Sequence, residues 1–367
     1  MASPAQDHHH SAPPPTPSTT QPTSDSAATD LLSRLLHRLP PSLSSSGSTP
    51  SLLRRRSSLS TTTTPPVIPF TDLNTTLSSL LPTVSQLGYF ELTDHFIPSE
   101  LARSAESDSL SIFNLSSNQR DQYFPRCWPL GFVDDDEDNI SESLLLDSSC
   151  STDSTELSLS SLREFTREMK KVGLAVLEAL SCAMGLQNPV QDDPDAVTSL
   201  MWISRICGSF DDKMTGSGLF YPYVVGLHYQ FRSQSCSLLT DTGLVPVSCK
   251  TDSILITLGD IAEVWSNGKL KKVRGKPALS VEEGSDTTSL SMSVLVTLPL
   301  ESTVTPLSPR AAINNDGGID RHDNKNEDCN EEGREERLFN SFSFEDYAWR
   351  VYHERLPLKD PLNRYKN

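Results

Sequence analysis

GDIAEVWSNGKLKKV, residues 259–273, follows directly on the apolar run SILITL at 253–258 and leads into Arg274 and Gly275. A short apolar, β-branched run stopped by Gly-Asp reads as a buried strand ending in a turn. Asp260, after Gly259, suits a turn carboxylate that accepts backbone N–H groups. Glu263 reads as a rim residue. Outward from this point the pattern repeats. From about residue 199 to 300, short strand-like segments alternate with turn residues, as in a β-sandwich or jelly roll. SLSMSVLVTLP (289–299) alternates small polar with apolar residues, as a strand with one buried face should.

The chain has 367 residues, of which 36% are apolar and 26 are proline, so part of it is expected to lack a packed core. Its 31 basic and 48 acidic side chains leave a net charge of −17. Such a field repels nucleic acid and anionic lipid, which argues against both as partners. No apolar run approaches the roughly 18 residues of a membrane span, and the N-terminus has no apolar core of a secretory signal. Seven cysteines, an odd number with no C-x-x-C pair, fit free thiols in a reducing compartment. A cytoplasmic or nuclear location is expected, with a plastid as the alternative.

Residues 1–66 are rich in Ser, Thr and Pro and read as a disordered arm. Within it, Leu31, Leu32, Leu35, Leu36 and Leu39 share one helical face. That island is either a transient helix or a docking motif for a partner groove. Arg54, Arg55 and Arg56 precede Ser57 and Ser58 in the pattern of a basophilic phosphorylation site. The acidic run Asp134–Asp138 and the Ser-rich stretch to residue 159 read as a solvated loop. Residues 161–184 are a helix, because Leu162, Phe165, Met169, Val172, Val176, Leu180 and Ala183 recur at spacings of three and four. Ser161 and Glu164 suit a capping box, and Gly185 suits the C-terminal cap. Residues 308–337 read as a disordered charged insert.

Several segments, in order, resemble plant 2-oxoglutarate/Fe(II)-dependent oxygenases of the isopenicillin N synthase-like and gibberellin oxidase-like kind. SNGKLKKVRG (266–275) resembles S-N-G-x-x-K-S-V-x-H. IPFTDLN (68–74) resembles I-P-x-I-D-L, and GYFELTDHFIP (88–98) resembles G-F-F-x-x-x-N-H-G-I-P without a gap. FNLSSNQRDQYF (113–124) and the tail from Phe342 follow the same order. The resemblance covers roughly 67–133, 160–307 and 338–367. It implies a double-stranded β-helix (jelly roll), mainly β with helices. The expected layout is an N-terminal region at 67–198 with the acidic loop 134–159, a jelly-roll domain at 199–307 and a C-terminal helix at 338–367.

The resemblance also implies a site, and the residues depart from it. The family binds iron through H-x-D and a distant histidine, a facial triad. An ungapped register places Gln230 at the first histidine, Arg232 at the aspartate and Gly275 at the last histidine. A shifted register uses His228 and places Gln230 at the carboxylate. Between His95 and His322 the chain contains one histidine, His228. The family grips 2-oxoglutarate with R-x-S, which falls on Ser289 and Ser291, and with the tyrosine of N-x-Y-P, which falls on Ile206. A hairpin of roughly ten residues that the family carries between Leu239 and Gly243 is also missing.

The expected function is therefore an oxygenase-like protein without catalysis, a binding or regulatory module with neither Fe(II) nor 2-oxoglutarate. Its partner would be a small apolar metabolite or another protein. The alternative is a working dioxygenase, with Fe(II) and 2-oxoglutarate as cofactors, acting on a gibberellin-like or other hormone-like compound.

Overall fold

A computed structural model describes residues 62–134, 141–152, 157–193, 195–206, 220–233, 235–279, 289–310, 336–354 and 359–367. Among these residues an eight-stranded sheet runs in the order β1 (Val67–Pro69), β2 (Tyr89–Thr93), β9 (Ile254–Leu258), β6 (Val225–Tyr229), β11 (Ser289–Thr297), β5 (Thr198–Ile206), β4 (Ser141–Asp147) and β3 (Gly131–Asp134). A three-stranded sheet contains β10 (Val273–Leu279), β7 (Ser235–Thr240) and β8 (Gly243–Ser248). A two-stranded ribbon joins β12 (Thr303–Val304) to β13 (Phe342–Ser343). The helices are α1 (Leu73–Leu87), α2 (Ser99–Phe113), α3 (Ser117–Tyr123), α4 (Ser160–Ala183), α5 (Pro189–Asp192), α6 (Asp260–Trp265) and α7 (Phe344–Glu354). This is the jelly roll that the strand pattern predicts. None of the described helices is long and apolar enough to cross a membrane.

The long helix α4 lies where its apolar face predicts. Leu162, Phe165, Met169 and Val176 are fully buried, and each such burial stabilises by about 1.5–3 kcal/mol. The helix approaches the sheet closely at Gly173. A Cβ there would sit 2.7 Å from Val296 Cγ2 and 2.9 Å from Leu227 Cδ1. The C-terminus is capped as the sequence predicts. The Gly185 N–H donates to Cys182 O and the Leu186 N–H to Ser181 O, a Schellman arrangement with Gly185 left-handed at φ +66°. The N-terminus is not. No side chain of its own caps it; Asp108 Oδ2, from α2, accepts from the Ser161 and Leu162 N–H groups at 3.0 Å each. A neighbouring helix supplies what the local capping box was expected to supply.

Two further expectations need correction. Part of the stretch 134–159 is not a solvated loop. SESLLLD forms β4, paired on both sides with β3 and β5, and Leu144 and Leu145 are fully buried. Its acidic run at 135–140 lies outside the described residues. The 67–198 and 199–307 regions share one sheet. β1 to β4, from the first, extend the sheet built by the second, so one core spans both. Finally, β11 is buried on both faces. As a central strand it turns Val296 toward α4 and its serines toward the barrel interior, so the polar face of SLSMS meets protein rather than water. The N-terminal arm up to residue 61 and the insert at 311–335 lie outside the described residues.

Candidate functional site in the barrel

The inner face of the large sheet carries an unusual run of small polar side chains. Registers place Ser293 across from His228 and Trp202, Ser291 across from Ser204, which pairs with Ser143, and Ser289 across from Ile206, which pairs with Ser141. With a period of two, these positions share one face. Ser141, Ser143, Ser204, Ser289 and Ser293 are buried. Ser289 Oγ has no hydrogen-bond partner among the described residues. From the opposite sheet, Lys276 reaches across the barrel. Its ammonium donates to Ser143 Oγ at 2.9 Å and Ser204 Oγ at 2.6 Å and lies 5.2 Å from the Trp202 ring. Sequence reasoning missed this cation. The signal was available in the alternating serines of SESLLLD and SLSMS, but only sheet pairing shows that they face one another.

His228 sits at the centre of a closed hydrogen-bond chain. Its Nδ1 is 2.7 Å from Ser293 Oγ and its Nε2 is 2.9 Å from Thr257 Oγ1. Thr257 Oγ1 is 3.0 Å from the Tyr223 hydroxyl, which donates to Val273 O at 3.0 Å and lies 3.2 Å from Gly275 O. The single phenol proton goes to a carbonyl, so Thr257 donates to Tyr223 and accepts from His228 Nε2–H. Nδ1 is then bare and accepts from Ser293. Every proton has one place, and the imidazole is neutral. Burial agrees, pushing the His228 pKa down to about 3. A base that weak does not deprotonate Ser293 at neutral pH, so the pair is no nucleophilic dyad.

The positions that the resemblance aligns with the iron ligands lie around this chain. Gln230 and Arg232, with His228, Ser291 and Ser293, line a cavity of about 20 Å³, room for one water molecule. The Gln230 side chain is buried and donates from Nε2 to His228 O at 3.0 Å. Arg232 turns outward, its side chain 55% exposed, and pairs with Glu106 at 3.1 Å. Gly275, on β10, is left-handed at φ +68°, and the Phe220 ring lies against it. A Cβ at 275 would meet Phe220 Cδ1 and Cε1 at 2.8 Å, with the Arg274 guanidinium 5.3 Å from the centroid of that same ring.

No family model of protein sequences matches the chain. Solved structures do. The dioxygenase for auxin oxidation of rice superposes with a TM-score of 0.63 at 16% identity, covering 82% of this chain and 99% of that one. JOX2, solved in complex with 2OG, Fe and JA, gives 0.60 at 15% identity, covering 88% and 95%. A putative 2OG-Fe(II) oxygenase family protein from Caulobacter crescentus gives 0.59 at 12% identity, covering 78% and 98%. The chain has the 2-oxoglutarate/iron(II) oxygenase fold.

Within this oxygenase fold, the positions that either register aligns with the ligands hold other arrangements. A buried amide committed to a backbone carbonyl, an outward arginine and a glycine covered by a phenyl ring offer no pair of histidines with a carboxylate. In the shifted register, both nitrogens of His228 are already bonded. Among the described residues no group of three His, Cys, Asp or Glu side chains converges as metal ligands do. The cosubstrate positions do come together. Ser289 and Ile206 are direct partners across β11 and β5, with Ser291 two pairs further along. Cys236 and Cys249 are buried thiols whose pKa values burial pushes up, Cys236 to about 12. They are unreactive in that state.

The signature stretch itself departs from its sequence reading. Glu263 is not on a rim and Asp260 is not a turn acid bonded to backbone. Both are buried on α6 beside Lys272, itself fully buried. Lys272 Nζ lies 2.7 Å from Glu263 Oε2, 2.7 Å from Asp360 Oδ1 and 3.7 Å from Asp260 Oδ1. Burial alone would lower the Lys272 pKa, but the three carboxylates hold it above its ordinary value. Burial raises Asp260 and Glu263, while Lys272 draws Asp360 down against its own burial. The cluster ties the signature turn to the C-terminal segment and explains why a lysine tolerates a site without water.

Proposed function

We propose that the chain is a binding or regulatory module on an oxygenase scaffold and does not turn over 2-oxoglutarate. The observation that carries this reading is the phenyl ring of Phe220 packed on Gly275. The last histidine of the resembled motif has no room there. The saturated bonding of His228 and the outward turn of Arg232 support it. The barrel interior keeps a polar floor and the Lys276 ammonium, which suits recognition of a small molecule with a polar or anionic group. One protein of the same fold is named for auxin oxidation and another was solved with JA, which makes hormone-like metabolites the first class to screen.

The deciding measurement loads the purified protein with Fe(II) under anaerobic conditions and follows bound iron and 2-oxoglutarate decarboxylation. The expected result is neither bound iron nor turnover, with the fold intact by circular dichroism. Stoichiometric iron with turnover would overturn the proposal and favour a working dioxygenase on a small organic substrate.

A further inference from the structure

The loop Asp94–Pro98 holds an aromatic side chain outward, mostly exposed to solvent. Phe96 has φ +59°, a left-handed backbone that costs an L-residue energy and glycine none. The motif that this loop resembles, N-H-G-I-P, has glycine there. Yet Phe96 is 75% exposed, and its ring contact is one edge-on approach to Phe70 at 6.2 Å. The exposure is not looseness. His95 on one side is buried, accepts the Ile97 N–H at Nδ1 (3.2 Å) and donates from Nε2 to Asp252 O (3.0 Å). Ile97 on the other side is buried too. Tyr229 donates to Asp252 Oδ1 at 3.2 Å, which fixes the turn that His95 grips. Phe96 is therefore clamped from both flanks and presented to solvent on a rigid backbone.

Three acidic residues lie within four positions of Phe70 or Phe96 in the sequence. Asp94 is two residues before Phe96, Glu100 is in the first turn of α2, and Asp72 follows Phe70 by two; all three are exposed. Arg103 lies a turn further along α2. The whole chain carries −17, so a second copy meets repulsion at this face, whereas a cationic partner is attracted. A preorganised aromatic anchor loses little entropy on binding and is the type of residue that dominates interface energetics.

We propose that Phe96, with Phe70 and the Asp72, Asp94 and Glu100 carboxylates, is a docking point for a basic amphipathic segment of a partner protein. This surface is independent of the barrel interior and of the fate of the iron positions. The test uses the full chain and a fluorescein-labelled amphipathic peptide of leucine and lysine, followed by anisotropy, with a leucine–glutamate peptide as the second probe. The lysine peptide should bind, the glutamate peptide should not. Phe96→Gly should weaken binding at least tenfold without lowering the melting temperature, because glycine relieves the left-handed backbone. The triple variant D72N/D94N/E100Q should weaken binding and flatten its salt dependence. Equal affinity of the wild type and Phe96→Gly, no binding by the wild type, or equal binding of both peptides would each overturn the proposal. Phe96-dependent binding to phosphatidylcholine vesicles with no peptide binding would assign the surface to a membrane and overturn it as well.

Discussion

His228→Gln separates a structural histidine from one that can serve a ligand. In the folded chain burial holds the imidazole pKa near 3, against an ordinary value of 6.5. Between these two values the unfolded chain binds a proton that the folded chain refuses, so stability rises with pH through the window from about 3 to 6.5. At pH 5 the unfolded form gains RT ln[(1 + 10^1.5)/(1 + 10^−2)], which is about 2 kcal/mol lost from stability through this one side chain. The assay is urea unfolding of the wild type and H228Q at pH 7 and pH 5, at constant ionic strength. Going from pH 7 to 5, the wild type should lose about 2 kcal/mol more than H228Q, roughly 1 M in the urea midpoint. His95, which burial also shifts down, contributes equally to both proteins and cancels. At pH 7, H228Q should itself be less stable by about 1–3 kcal/mol, because the glutamine amide can replace Nε2–H but leaves Ser293 without its acceptor. Equal pH 7 to 5 losses in both proteins would refute the reasoning. The histidine would then be titratable in the folded state, and the hydrogen-bond chain to Tyr223 would not hold it neutral.

Gly275→His should lower stability by about 2–4 kcal/mol, from left-handed strain and the collision with Phe220; in a double-mutant cycle with F220A, measured by urea unfolding, the two changes should couple by at least about 1 kcal/mol. Lys272→Met removes the cation shared by Asp260, Glu263 and Asp360 and should cost about 3–5 kcal/mol at pH 7; the loss should shrink in thermal melts as the pH is lowered, because burial raises the pKa of Glu263 and Asp260 and their protonation removes bare charge from the interior. Asp108→Ala leaves the Ser161 and Leu162 N–H groups of α4 without their acceptor and should cost about 0.5–2 kcal/mol, with faster amide hydrogen exchange confined to the first turn of that helix; protection unchanged at those amides would contradict the cap.

The fold was legible where local pattern and burial agree. α4 shows its buried face through residues three and four apart and its end through Gly185, and both are properties of a single segment. β9 was legible from SILITL for the same reason, whereas the turn expected at Gly259-Asp260 is the start of α6. β4 was not. SESLLLD follows an acidic run and is rich in serine, so it carries no strong period, and it becomes a strand because β3 and β5 supply partners on both sides. The cap on α4 escaped notice because Asp108 lies more than fifty residues away. Glu263 and Lys272 were misjudged for a related cause: an isolated charge looks solvated until its partners, one of them Asp360 near the C-terminus, are seen around it.

The candidate site divides in the same way. Gln230, Arg232 and Gly275 could be named from order along the chain, because the resemblance is carried by motif spacing. What surrounds them could not. That a phenyl ring from residue 220 covers residue 275, that His228 is bonded at both nitrogens, and that Lys276 crosses between sheets to the serines of β4 and β5 all depend on which strands face each other. Residue type and spacing by themselves determined that this chain builds a jelly roll, since hydrophobic period and turn residues act within one segment. Only the tertiary structure decided what fills those positions, because close packing between distant segments sets whether a left-handed glycine meets open space or a phenylalanine.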